Sequence, residues 1–230
     1  TQSGALAITG ATTISASGYN VTLNEATNNF QGAVGITGAV VSVVDAGAII
    51  LGASTVSGTY AVTATAGGGI TDSGVLAITN GATFTVAGGQ SIILDQSSTF
   101  SSTVAFASSG GGAIAAVEIT DSNALVLGAI TTTGNLTVTA GGAVTQSAAL
   151  VIGGTATIAA GSSYDITLND ASNNFATVII TSGNNVTLVD AGAIALGAST
   201  VSGTYSVTAP GAVTQSGALA ITGATTISAS

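Results

Sequence analysis

The stretch TQSGALAITGATTISAS stands at Thr1–Ser17 and again, word for word, at Thr214–Ser230. Looser copies begin at Thr71 (TDSGVLAITNGATFTVA) and Thr145 (TQSAALVIGGTATIAA). The recurrence divides the chain into units 1–70, 71–144 and 145–213, with a partial fourth at 214–230. A period of this length calls for a repeat architecture, in which each unit buries its apolar face against its neighbours. The 230 residues are read as one continuous segment of that kind.

Within each unit, apolar residues alternate with small or polar ones, which is the strand period rather than the helical one. Comparing the copies picks out the inward positions. Leu6 and Ile8 recur as Leu76 and Ile78, Leu150 and Ile152, and Leu219 and Ile221. Phe30, Phe100 and Phe175 form an aromatic set, and Tyr60, Leu136 and Tyr205 another. Val41 and Val43 match Val117 and Ile119, then Val186 and Leu188. The connecting residues are Gly, Ser, Asn and Ala, which suit tight corners. The spacing predicts an all-β parallel β-helix (β-solenoid). With three strands per coil, about three coils of roughly 23 residues fill each unit, and like residues stack on like. Thr, Val, Gly and Ser dominate the sequence, against a helical bundle. A propeller blade is shorter than these units.

The charge inventory narrows function. The chain has no Lys, Arg or His and nine carboxylates. A nucleic-acid partner therefore lacks its main attractive term, and polybasic adhesion to an anionic membrane is excluded. Membrane insertion is not expected either. No apolar run is long enough for a spanning helix, and a membrane barrel would want aromatic girdles that a chain without Trp lacks. There is no Cys and hence no disulfide framework. No signal peptide is visible at the start, which falls in ordinary repeat sequence.

The strings NVTLNEATNNFQGAV (Asn20–Val34), VVDAGAIILGAST (Val43–Thr55) and GTYAVTATAGGGITDSGVLAIT (Gly58–Thr79) resemble repeats of very large bacterial exoproteins. These are the filamentous-haemagglutinin-like adhesins of two-partner secretion and related β-strand-repeat surface proteins. The third unit resembles them in the same places, through ITLNDASNNFATV and VDAGAIALGAST. The resemblance implies a right-handed β-helix, an extracellular or cell-surface location, and the role of a fibre shaft. The amino-terminal secretion domain of that family is not in this sequence.

Few residues point to chemistry. Asp45, Asp121 and Asp190 hold matching places and are read first as solvated turn residues whose oxygens cap backbone N–H groups. They are also the candidate calcium ligands, although the G-G-x-G-x-D pattern of calcium-binding β-rolls is missing. Glu25, Asp170 and Asp95 make a second, partial acidic set. A glycosidase needs two carboxyl groups about 5–9.5 Å apart. Only Asp72 and Glu118–Asp121 depart enough from the repeat to supply them, so the chain is read as non-catalytic and without cofactor. Asn20, Asn135 and Asn185 open Asn-x-Thr sequons, and Gly67–Ile70 is read as a turn. The expected partners are further copies of the repeat, in one long chain or stacked end to end. Cell-surface glycans or proteins are the alternative, through the insertion Ser108–Ala116 of the second unit.

Overall fold

A computed structural model describes residues 2–229. They form 29 strands and no helix, paired in parallel, in two compact units that divide after Asp121. Each unit is a parallel β-solenoid.

In the first unit, one sheet carries Val21–Leu23, Val41–Asp45, Tyr60–Ala64, Ala82–Ala87 and Thr103–Ser109. Val21 faces Val41, Val41 faces Tyr60, Tyr60 faces Ala82 and Ala82 faces Val104. Each of these steps is one coil. The opposing sheet carries Thr12–Ser15, Val34–Gly38, Ile49–Leu51 with Ser54–Val56, Ile70–Asp72 with Leu76–Ile78, Ile92–Phe100 and Val117–Asp121. Its longest step runs from Ile92 to Val117 and takes up the insertion Ser108–Ala116.

The second unit repeats the plan. Leu125, Val144, Ile166, Val186, Tyr205 and Thr225 face one another in succession, at steps of similar length. The other sheet is built from Ile130–Thr132 with Leu136–Ala140, Leu150–Ala159, Asn174–Ser182, Ile194–Leu196 and Val213–Gln215. Ser199–Val201 pairs separately with Leu219–Ile221.

The coil is shorter than the roughly 23 residues expected, as the steps from Val21 to Val41 and from Val41 to Tyr60 show, so a sequence unit holds more than three coils. Val21 and its counterpart Ile92 show this. Three rungs lead from Val21 to Ala82, and Ile92 then falls on the opposite sheet, before the next rung at Val104. One sequence unit is about three and a half coils. Matching residues accordingly change sheets within each unit. Ile14 and Phe84 lie on opposite sheets of the first unit, as do Val41 and Val117. Leu125 and Ile194 do so in the second, and so do Ile158 and Ile227.

Matching residues of successive repeats do not stack on one another for the same reason, although like still meets like along a sheet, as at Ile49, Ile70 and Ile92 or at Phe84 and Phe106. What is kept is a pairing within each repeat. Ile8 faces Phe30, Ile78 faces Phe100 and Ile152 faces Phe175, each one coil later. Phe100 also meets Phe84, which lies edge-on to Tyr60 (ring centroids 6.0 Å apart) and against Phe106.

The inward positions are those the alternation predicts. Leu76, Ile78, Leu150, Ile152, Phe30, Phe100, Phe175, Tyr60, Leu136 and Tyr205 are all buried. Leu6, Ile8, Leu219 and Ile221, in the first and last coils described, are half-buried. Each fully buried side chain contributes about 1.5–3 kcal/mol from apolar transfer before entropy is set against it.

Coils come close enough to forbid side chains at some corners. At Gly67–Ile70 a Cβ on Gly69 would lie within the contact radius of the Ser91 carbonyl. Ile49 N–H donates to Gly69 O and Ile70 N–H to Ser91 O, so three coils are laced there in series.

Candidate functional site

The three aspartates singled out as calcium candidates turn out to be internal fastenings. Asp45, Asp121 and Asp190 are buried rather than solvated, at 0%, 2% and 2% exposure. Their capping role is real. Phe30 N–H donates to Asp45 Oδ2 at 2.7 Å, Phe100 N–H to Asp121 Oδ1 at 3.3 Å, and Phe175 N–H to Asp190 Oδ1 at 2.6 Å. Asp45 and Asp190 each take a second N–H, from Gly47 and Gly192. Each of these aspartates thus closes the Ile–Phe pairing of its own repeat from the following coil.

Two asparagines that precede those phenylalanines complete the corner. Asn28 and Asn173 are fully buried. Asn173 Oδ1 accepts from Gln146 Nε2 and Leu150 N–H, while its Nδ2 donates to Gln146 Oε1 and Val189 O. Asn28 does the same with Gln2, Leu6 N–H and Val44 O. Where the second repeat has Ser98 in that place, its hydroxyl accepts from Leu76 N–H. Ser54 and Ser199 accept from Ile36 and Ile180 N–H and donate to Gly52 O and Gly197 O. Buried polar atoms are costly unless bonded, and these corners satisfy that rule with side chains one coil away.

No cation site emerges from the calcium candidates. Asp45 and Asp121 end strands on opposite sheets of the first unit, and Asp190 lies in the second unit. The oxygens of Asp45 and Asp190 face N–H donors, the wrong polarity for a metal. Among the described residues, no three His, Cys, Asp or Glu gather. Nor is a carboxylate pair assembled from Asp72 and Glu118. Thr71, beside Asp72, faces Ile93, and Ile93 faces Glu118, so two coil steps separate the two acids.

The outer acids and amides serve the backbone as well. Asn20, Asn135 and Asn185 each reach one coil on, accepting from the N–H groups of Val40, Thr155 and Thr204. Asp165 continues the last of these runs by accepting from Asn185 N–H and from the amides of Asn184 and Asn185. Those bonds, first the backbone one, hold its carboxyl below the usual carboxylate range. Beside it the Tyr164 ring is 47% exposed, and at the equivalent corner of the first unit the Tyr19 ring is 75% exposed. Neither ring was singled out in the sequence. Their signal was an aromatic in outward register, immediately after a corner.

A family model for repeats of unknown function (DUF5649) matches residues 1–37, 37–107, 114–182 and 183–230. The chain belongs to that family. Its two long matches are each about the length of one sequence unit, so a DUF5649 repeat is likewise about three and a half coils. The break between them, 108–113, falls in the insertion Ser108–Ala116, where Gly110 and Gly111 adopt left-handed φ near 74°. No match was found among curated proteins, and none among solved structures.

Proposed function

We propose that this chain is a non-catalytic shaft segment of a secreted or cell-surface fibre, working by mechanical continuity. The observation that carries the reading is the unbroken rung series of each unit. Examples are Val21–Val41–Tyr60–Ala82–Val104 and Leu125–Val144–Ile166–Val186–Tyr205–Thr225. Parallel strands stacked in this way align their backbone hydrogen bonds along the stack, at about 4.8 Å per rung. Coils interact mainly with their neighbours, so length can be added without redesigning the core. Partners in this reading are further copies of the same repeat, in one longer chain or end to end. The uncompensated acidic surface favours solubility over lateral clumping. The resemblance to filamentous-haemagglutinin-like adhesins supports an extracellular location.

Immunogold labelling of intact source cells tests location, and electron microscopy of the labelled material tests shape. Label on extended fibres outside the cell is the expected result. Label confined to the cell interior, or to compact particles, overturns the proposal.

A second reading, adhesion to glycans or proteins of a neighbouring surface, is favoured by the insertion Ser108–Ala116. It contains 108–113, the one internal stretch that the family model leaves unmatched. Deleting Gly110–Gly112 and measuring attachment separates the two readings. Lost attachment with an intact fibre supports adhesion, and unchanged attachment removes it.

A further inference from the structure

The second repeat breaks its own pattern at Asp72. The other three copies carry an amide there, as Gln2, Gln146 and Gln215. Each of those glutamines uses its Nε2 to donate to the carbonyl two residues on, that of Gly4, Ala148 or Gly217. An ionised aspartate has no donor to offer the corresponding carbonyl of Gly74.

The surroundings of Asp72 sharpen the mismatch. It ends the strand Ile70–Asp72, and its Oδ1 accepts from Asp95 N–H at 3.0 Å and Gln96 N–H at 3.5 Å, one coil later. Its Oδ2 is buried and has no hydrogen-bond partner. The facing titratable group is Asp95, whose Oδ1 is held by Gln96 Nε2. The flanking strands Ile49–Leu51 and Leu76–Ile78 carry no charge. Asp95 lies where the pairing of Ile92–Phe100 with Val117–Asp121 shifts register, between Leu94 and Ser98. Two acids thus meet across adjacent coils beside a register shift of the sheet, in a chain with no basic side chain to neutralise them.

We propose that Asp72 and Asp95 form a proton-operated latch, in which one proton from solvent on Asp72 Oδ2 restores the donor that glutamine supplies elsewhere and tightens the rung between Ile70–Asp72 and Ile92–Phe100. The protonated acid mimics the amide of the other repeats. The ionised acid leaves a buried oxygen unpaired beside a like charge. Burial, opposed by the two N–H bonds and reinforced by Asp95, pushes the Asp72 carboxyl up to about 6 from 3.8. Because the folded value lies above the unfolded one, the folded rung holds the proton more tightly. The gain is fully present below about 3.8 and is lost as pH rises through about 6. Since Asp72 is only half-buried, the folded preference for the proton is on the order of 10-fold to 100-fold. The latch does not depend on the fibre reading.

Carboxyl carbon-13 NMR of the whole chain tests it, with Asp72→Asn identifying the resonance by its loss. A midpoint near 6 in the parent, moving lower in Asp95→Asn, is the expected result. Thermal midpoints should rise on going from pH 7.5 to pH 4.5 in the parent, and rise less in Asp72→Asn and Asp72→Gln. A parent midpoint below about 5, near the ordinary carboxylate range, overturns the latch. So does an Asp72→Asn protein with the parent's pH dependence. If neither Asp72 variant folds, the Asp72 carboxyl is assigned by correlation to its own backbone in the parent, and a midpoint unmoved in Asp95→Asn refutes the pairing.

Discussion

Truncating Asn173 to alanine should be among the most damaging single changes open to the second unit. The side chain is fully buried and makes four hydrogen bonds. Two are to Gln146, which is half-buried and keeps its bond to Ala148 O. The other two serve the backbone, at Leu150 N–H and Val189 O. Alanine leaves both groups buried without a partner, at about 1–3 kcal/mol each. The expected loss is therefore about 2–6 kcal/mol, at or above the usual range for a point mutation. Coil arrays open piecewise, so one global midpoint can hide a local loss. Amide exchange at Leu150 and Phe175 reads the corner directly, with urea unfolding beside it. Asn173→Asp is the informative companion. It keeps an acceptor for Leu150 N–H, loses the donor to Val189 O, and brings a carboxylate close to Asp190 with no cation in the chain. It should be as damaging as alanine at pH 7 and partly recover as pH falls, beginning above the ordinary aspartate value because burial favours the protonated acid. A loss below about 1 kcal/mol in Asn173→Ala, with exchange at Leu150 unchanged, would refute the corner as a fastening, because the orphaned groups would then have found water.

Leu150→Asp should abolish cooperative folding of its coil, since Leu150 is 0% exposed and no basic residue exists to pair the charge. Loss of amide protection across Leu150–Ala159 is the readout. Tyr60→Phe should be neutral or stabilising by up to about 1 kcal/mol, as the buried phenol makes no hydrogen bond and burial pushes its ionisation well above the usual tyrosine range. The neighbouring Ser54 hydroxyl donates to Gly52 O and accepts from Ile36 N–H. A thermal midpoint that falls in this variant contradicts that account. Chelator should leave the melting temperature of the parent unchanged, because the oxygens of Asp45 and Asp190 already face N–H donors. A drop on adding EDTA, reversed by calcium, would restore the calcium reading.

The alternation Val41, Val43 and its counterparts made the parallel solenoid and its inward residues legible from sequence. The coil length was not legible, for a simple reason. A self-comparison finds the period at which sequence recurs, not the period at which strands meet. The two differ when the recurrence is not a whole number of coils, and here it ends half a coil out of phase. The aspartates were misplaced by composition: Asp before a small residue looks like a solvated turn. Register says otherwise. Asp45 continues the Val41, Val43 alternation by one more step, Asp121 continues Val117 and Ile119, and Asp190 continues Val186 and Leu188. Asn28, Ser98 and Asn173 likewise stand two residues before a buried Phe. A polar residue in inward register is a signal for a buried cap, and it was present in all six places.

The half-coil offset also accounts for the texture of the sequence. A segment copied at this interval lands on the other sheet, facing different neighbours. Ile14 pairs with Ile36 on one sheet, whereas its counterpart Phe84 sits between Val62 and Phe106 on the other. A repeat used this way cannot rely on shape-matched contacts between copies. It needs inward residues that pack acceptably in either setting, outward residues small enough for either face, and corner bonds that travel with the repeat. Val, Ile, Leu and Ala meet the first need, and Thr, Ser and Ala the second. The third is met by pairings internal to one repeat, from Ile8, Ile78 and Ile152 to Phe30, Phe100 and Phe175, each fixed by an aspartate in the coil beyond the Phe. Specificity thus resides in contacts within the repeat, and tolerance in contacts between repeats. An array built on that division presents any given corner on alternating sides from one repeat to the next within a unit.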